Sequence, residues 1–91
     1  MTDTLKTSIE TVRFEVRQFV IRNFLFGERS AAVGDDDSFL DKGIIDSTGV
    51  LELVAFLEEQ FTIKISDSDL VPENLDSVNL AASFVCRKLE D

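Results

Sequence analysis

Apolar residues recur at helical spacing in three stretches of the chain. In the first, Leu5, Ile9, Val12, Val16, Phe19, Val20 and Phe24 fall on one face, and Lys6, Arg13, Arg17 and Arg22 keep to the other sides. That is the i, i+3, i+4, i+7 stripe of a helix with one buried face. Asp3 or Thr4 can cap its start and Gly27 can end it. Phe14 and Ile21 lie off the stripe and are expected against the loop that follows. In the second stretch Val50, Leu53, Val54, Leu57 and Phe61 make the stripe, and Asp46, Ser47 and Thr48 stand before it as possible caps. The spacing predicts a helix over 47–61. In the third, Val78, Ala81, Ala82, Val85 and Leu89 repeat, with Asp76 or Ser77 as cap and Cys86 at the border of the stripe.

The connections are less regular. Glu28 to Ser38 has no apolar period and reads as a long loop, from which Phe39, Leu40, Ile44 and Ile45 return to the core. Thr62-Ile63-Lys64-Ile65 alternates but has no partner strand, so it reads as an extended connector. Ser66 to Leu70 is rich in cap residues and can form a short turn, and Pro72 suits the first position of a short helix ending near Leu75. The expected fold is all-α: a small antiparallel bundle of three longer helices and one short one, with a long first loop, forming a single domain over residues 1–91.

Charge changes this picture by its distribution. The net charge is −9. Between Asp35 and Phe61, eight acidic residues stand against Lys42 alone, giving −7. Such a field repels nucleic acid and anionic membranes and favours basic protein surfaces. The Asp35-Asp36-Asp37 run does not fit a calcium loop, because Phe39, Leu40 and Asp46 fall where an oxygen ligand, a glycine and a glutamate are needed. With no histidine in 91 residues there can be no Ser-His or Cys-His pair. No glycine-rich phosphate loop and no zinc-ligand cluster appears either. Cys86, the lone cysteine, reads as a half-buried packing residue. These absences point away from an enzyme. With no leader and no long apolar run in the sequence, a soluble cytoplasmic monomer is expected, with no membrane insertion.

The candidate chemistry sits at Asp46-Ser47, where a hydroxyl stands at a helix start beside a carboxylate. Asp46-Ser47, Glu52-Leu53-Val54, Leu57-Glu58-Glu59, Phe61, Ile63-Lys64-Ile65 and Pro72-Glu73-Asn74-Leu75-Asp76-Ser77 occur in that order. This set, reaching from about Phe39 to Leu89, resembles the acyl carrier protein family. The resemblance implies a four-helix carrier fold. It also implies 4'-phosphopantetheine carried covalently on Ser47, with Asp46 beside it, after transfer from coenzyme A by a phosphopantetheinyl transferase. An acyl or aminoacyl group would then ride as a thioester on the arm, loaded by a ligase and passed to downstream transferases with basic docking surfaces. Glu52, Glu58 and Glu59 match the family's acidic docking helix. Leu51 and Ala55, four apart and off the buried stripe, form an exposed apolar strip.

Thr48 and Gly49 depart from the fatty-acid pattern, in which leucine and often an acidic residue follow the serine. Thr48 removes an apolar docking contact and Gly49 removes a charge, so that Thr48→Leu with Gly49→Asp should restore fatty-acid-type recognition. The pattern is instead similar to the Asp-Ser-Met-Gly of D-alanyl carrier proteins, which implies a specialised carrier for an amino acid or an unusual acyl group. Without the resemblance, the same residues would suit an acidic, non-catalytic interaction module that docks on a basic protein surface and never uses Ser47.

Overall fold

The computed structural model describes residues 8–25 and 33–90. They form helices α1 (Ile9–Phe24), α2 (Ser47–Phe61), α3 (Pro72–Leu75) and α4 (Val78–Glu90), with a single 3₁₀ turn, Asp67–Asp69, before α3. The helical bundle expected from the three stripes is what forms, with no strand among the described residues.

Helix α1 begins at Ile9 rather than near Asp3 or Thr4, which lie outside the described residues, as do Leu5, Lys6 and Gly27. Ser8 has extended backbone and its side chain accepts from the Thr11 amide at 3.2 Å. A hydroxyl that satisfies an orphan amide sets the start. Ile9 is accordingly exposed, and the buried stripe reduces to Val12, Val16, Phe19 and Val20. Leu25 ends the helix in extended backbone and turns into the core. Ile21 packs against the core from the side, while Phe14 is exposed. The loop residues 26–32 expected against them lie outside the described residues.

Helix α1 packs mainly on α4, and α2 is tied to α1 through aromatic contacts. Phe19 stacks on Phe56 with ring centres 4.3 Å apart and meets Phe24 edge-on at 5.9 Å, both favourable ring arrangements. Leu53 and Leu57 are fully buried on α2, while Val50, Val54 and Phe61 are half-buried at the edges of the stripe. On α4, Val78, Ala81, Ala82 and Val85 are buried and Leu89 is exposed. Ser77 rather than Asp76 caps α4, accepting from the Leu80 amide at 3.0 Å.

The described part of the first loop is tied down at two places. Arg17 donates to the Val33 carbonyl at 2.7 Å and pairs with Asp35. Asn79 holds Asp35 and Asp36 from the start of α4. Further on, the Phe39 amide donates to the Asp76 carbonyl at 2.8 Å. Asp76 also accepts from the Ser38 hydroxyl and, at 3.0 Å, from the Leu40 amide. Gly43 closes the turn with φ +68°, a left-handed conformation that glycine adopts without steric cost. Phe39, Ile44 and Ile45 are buried as expected, but Leu40 is 45% exposed. The backbone bond to Asp76 directs Phe39 inward, and its neighbour is left facing out.

Candidate functional site

Helix α2 starts where Ile45, buried, hands over to Asp46, exposed. Asp46 is the cap: its backbone is extended and its carboxylate accepts from the Gly49 amide at 2.7 Å. A carboxylate here also faces the partial positive end of the helix. Ser47 is therefore the first residue inside the helix, exposed, with its hydroxyl not spent on the cap. Thr48 beside it is exposed as well.

Next to Ser47 the fold leaves an apolar cavity of about 240 Å³. Its walls come from three places. Phe39 and Leu40 arrive from the first loop, Val50 and Leu51 from α2, and Leu70, Val71, Pro72 and Leu75 from the segment around α3. Leu40, Leu51 and Val71 are all exposed and give it an apolar rim. Asp76 supplies a polar edge, but its carboxylate is already bonded to Ser38 and Leu40. The sequence stripes did not reveal this cavity, because its walls are dispersed over 39–76. The signal was present in Leu40 and Leu70-Val71, apolar residues in segments that no helical period explains.

The docking candidates separate into three groups. Leu51 and Ala55 are exposed, as expected for an apolar strip, and Leu51 runs into the cavity rim. Glu52 and Glu59 are exposed, two turns apart. Glu58 is different. It is half-buried, and its carboxylate accepts from the Ile65 amide at 2.8 Å. Although it matches the acidic docking helix by position, it does not project freely as Glu52 does: the chain leaves α2 through Thr62 in the left-handed region (φ 57°), and Glu58 holds the connector that follows.

Gly49 also needs correction. It is not a surface position that lacks a charge. It is buried, and a Cβ there would lie 2.8 Å from Phe24 Cε1 and 3.0 Å from Ile45 Cγ2. The substitution Gly49→Asp would therefore collide with the core instead of restoring a docking charge. Cys86 is half-buried, and burial, with Glu90 nearby, raises its thiol pKa above the ordinary 9.0. Burial and a raised pKa are the surroundings of a packing thiol rather than an activated one. Among the described residues no cluster of three metal-ligating side chains exists, and no helix is long and apolar enough to cross a membrane.

Comparison with known proteins gives this geometry a family. Residues 25–85 match the model described as "Phosphopantetheine attachment site". The chain belongs to this family of phosphopantetheine carriers. It is 40% identical over 55 residues to a D-alanyl carrier protein of Streptococcus uberis, which covers 60% of this chain and 68% of that protein. A D-alanyl carrier protein of Streptococcus suis is 36% identical over 61 residues, 67% of this chain and 76% of the relative. An acyl carrier protein of Solidesulfovibrio magneticus is 31% identical over 78 residues, 86% of this chain and 95% of the relative. Carriers of this family hold phosphopantetheine covalently, work with phosphopantetheinyl transferases and ligases, and are in general not catalytic. The described residues fit the group: an exposed hydroxyl, unused by the cap, stands at a helix start beside an apolar cavity.

Proposed function

We propose that this chain, acting as one carrier domain, bears 4'-phosphopantetheine on Ser47 Oγ, holds an acyl or aminoacyl group there as a thioester, and presents it to partner enzymes without catalysing a reaction itself. The observation that carries this is the division of labour at the α2 start. Asp46 takes the cap and leaves Ser47 exposed for another enzyme to reach. The arm supplies a thiol on a flexible tether, which raises the local concentration of its cargo at a docked partner. Ser47 offers the oxygen, the helix start favours the new phosphodiester through its exposed amides and dipole, and the apolar rim gives a partner something to cover. Partners with basic surfaces, a phosphopantetheinyl transferase and a loading ligase among them, would meet Glu52 and Glu59.

Two observations bear on the cargo. The D-alanyl carrier relatives favour an amino acid, whereas the apolar cavity beside Ser47 favours an apolar acyl chain. Loading the modified protein with an amino-acid ligase and with an acyl ligase in parallel separates the two by mass. The attachment itself is tested by intact mass after incubation with coenzyme A and a broad-specificity transferase. One phosphopantetheinyl group should be gained, and Ser47→Ala should gain none. Because Ser47 is not the cap, that variant should lose well under the ~1 kcal/mol typical of a lost cap. A wild type that folds but is never modified would leave the acidic interaction module as the reading.

A further inference from the structure

We infer that Gly49 is a positioning residue for modification at Ser47: by lacking a side chain it lets Phe24, the last residue of α1, close on the first turn of α2 and fix where the Ser47 hydroxyl stands. This rests on the carrier reading above.

Glycine inside a helix costs roughly 0.5–1 kcal/mol relative to alanine, so its place in the first turn calls for a geometric reason. Backbone conformation is not that reason, since Gly43, not Gly49, has positive φ among the described glycines. The reason is space. A Cβ on Gly49 would meet Phe24 Cε1 at 2.8 Å, Ile45 Cγ2 at 3.0 Å and the Asp46 carboxylate oxygen at 3.3 Å. Two of these three neighbours are the residues just before Ser47, and one of them is the cap. The third, Phe24, is braced edge-on against Phe19, which is itself stacked on Phe56 of α2. Ile45 is buried and has no free direction in which to retreat. Any side chain at 49 therefore presses on the segment that carries Ser47.

The modification is sensitive to such pressure. Ser47 Oγ attacks the phosphorus of coenzyme A that bears the pantetheine. The new O–P bond forms as the pyrophosphate bond breaks, adenosine 3',5'-bisphosphate leaves, and the serine proton is released. An in-line attack of this kind depends on where Oγ is held, and a misplacement of about 1 Å can cost up to ~10²-fold.

The experiment measures transferase kcat and KM with coenzyme A for the wild type, Gly49→Ala, Phe24→Leu, and the two changes together. Gly49→Ala should lower kcat/KM about tenfold or more. Phe24→Leu alone should cost a smaller part of kcat/KM, because it loosens the contact without pressing on the segment, and adding it to Gly49→Ala should bring the rate up to that of Phe24→Leu alone. Amide exchange read on the same proteins distinguishes position from stability. In Gly49→Ala the amide at position 49, which donates to Asp46, should lose protection while Leu53 and Leu57 keep theirs. Wild-type rates in Gly49→Ala overturn the inference, as does parallel loss of protection at Leu53 and Leu57, or a failure of Phe24→Leu to restore activity. If the wild type itself takes no phosphopantetheine, the carrier reading falls and this inference with it, whereas modification of the wild type with an unaffected Gly49→Ala overturns only the inference.

Discussion

Asp35-Asp36-Asp37 and Glu52…Glu58-Glu59 look alike in sequence: two acidic stretches within the same −7 segment. In the fold they do opposite things. The aspartates are used internally. Asp35 pairs with Arg17 of α1, Asp36 accepts from Asn79 of α4 at 2.7 Å, and Asp37 accepts from the Gly34 amide at 2.7 Å. Glu52 and Glu59 are exposed, and among the described residues neither takes part in an ion pair. Glu58 sits between the two classes, on the docking helix by position but bonded to Ile65. Charge already directed at a neighbour in the fold contributes less to steering a partner. If the carrier docks through its charge, as proposed, the field that steers a partner is accordingly smaller than the formal charge, with Glu52 and Glu59 the free part of it on α2.

The largest expected effect tests the free pair. Replacing Glu52 and Glu59 with lysine should lower transferase kcat/KM by about ten- to a hundredfold at low salt, because such charges act through association rate. The difference should disappear at about 1 M salt, where screening is nearly complete. Circular dichroism should show the helix intact, since neither residue is buried. Coincident low-salt rates would mean that these glutamates only solubilise the surface, and that docking lies with Thr48, Leu51, Ala55 and the cavity rim.

The opposite experiment breaks the internal stretch. Arg17→Ala removes the bond to the Val33 carbonyl and the pair with Asp35. A hydrogen bond from a charged donor is worth more than a neutral one, but Asp35 is 44% exposed and the pair is discounted for solvent. The expected loss is about 1–2 kcal/mol, a Tm lower by very roughly 5–15 °C, with transferase kinetics unchanged at a temperature where both proteins are folded. A kinetic defect without a thermal one would reverse the assignment of the two stretches.

Glu58 sharpens the boundary between them. Glu58→Ala should cost about 1 kcal/mol, since it leaves the Ile65 amide without its partner. Glu58→Gln should cost less, because its carbonyl can still accept. If Glu58→Ala instead leaves Tm alone and slows arm transfer as Glu52 does, Glu58 belongs with the docking pair.

The bundle was legible in sequence because helix formation is periodic. Leu53 and Leu57 of α2 and Ala81, Ala82 and Val85 of α4 repeat at the spacing that buries them. Pro72 marked α3 because its ring suits a first helical turn. The start of α2 was legible for a local reason as well, Asp46 and Ser47 standing together as cap-type residues before an apolar stripe. What escaped is what depends on distant neighbours. The cap at Ser8 was missed because Asp3 and Thr4, which lie outside the described residues, are cap types too, and sequence alone does not rank them. Leu40 read as a core residue because it is apolar, but the Asp76 bond that orients the loop and leaves it facing out comes from far along the chain. Gly49 looked like a missing charge because nothing in its own stretch shows Phe24 lying against it. Glu58 looked free because its partner is a backbone amide, which no sequence pattern displays.

The smallest effect extends the comparison to a third acidic site. Asp69 closes the 3₁₀ turn before α3, accepting from the Ser66 amide at 3.1 Å and facing Lys88 of α4 at 2.9 Å. The Lys88 ammonium, and then the Ser66 amide, hold its carboxyl below the ordinary 3.8. A carboxyl with a lowered folded pKa stabilises the fold above its unfolded value, and that contribution is lost as pH falls through the folded value. The consequence is confined to acid, below about pH 4. Asp69→Asn should therefore have a shallower loss of stability between pH 4 and the acid-unfolding midpoint than the wild type, measured by thermal melts at successive pH. Around neutral pH it should show only the modest cost of a half-exposed surface pair. Lys88→Gln should reproduce most of the change, because the lysine is the first cause of the shift. If Asp69→Asn follows the wild-type acid profile throughout, Asp69 belongs with Glu52 and Glu59 as free surface charge. The polar link between α4 and the α3 segment that walls the cavity would then rest on the hydrogen bond from Arg87 to Asn74.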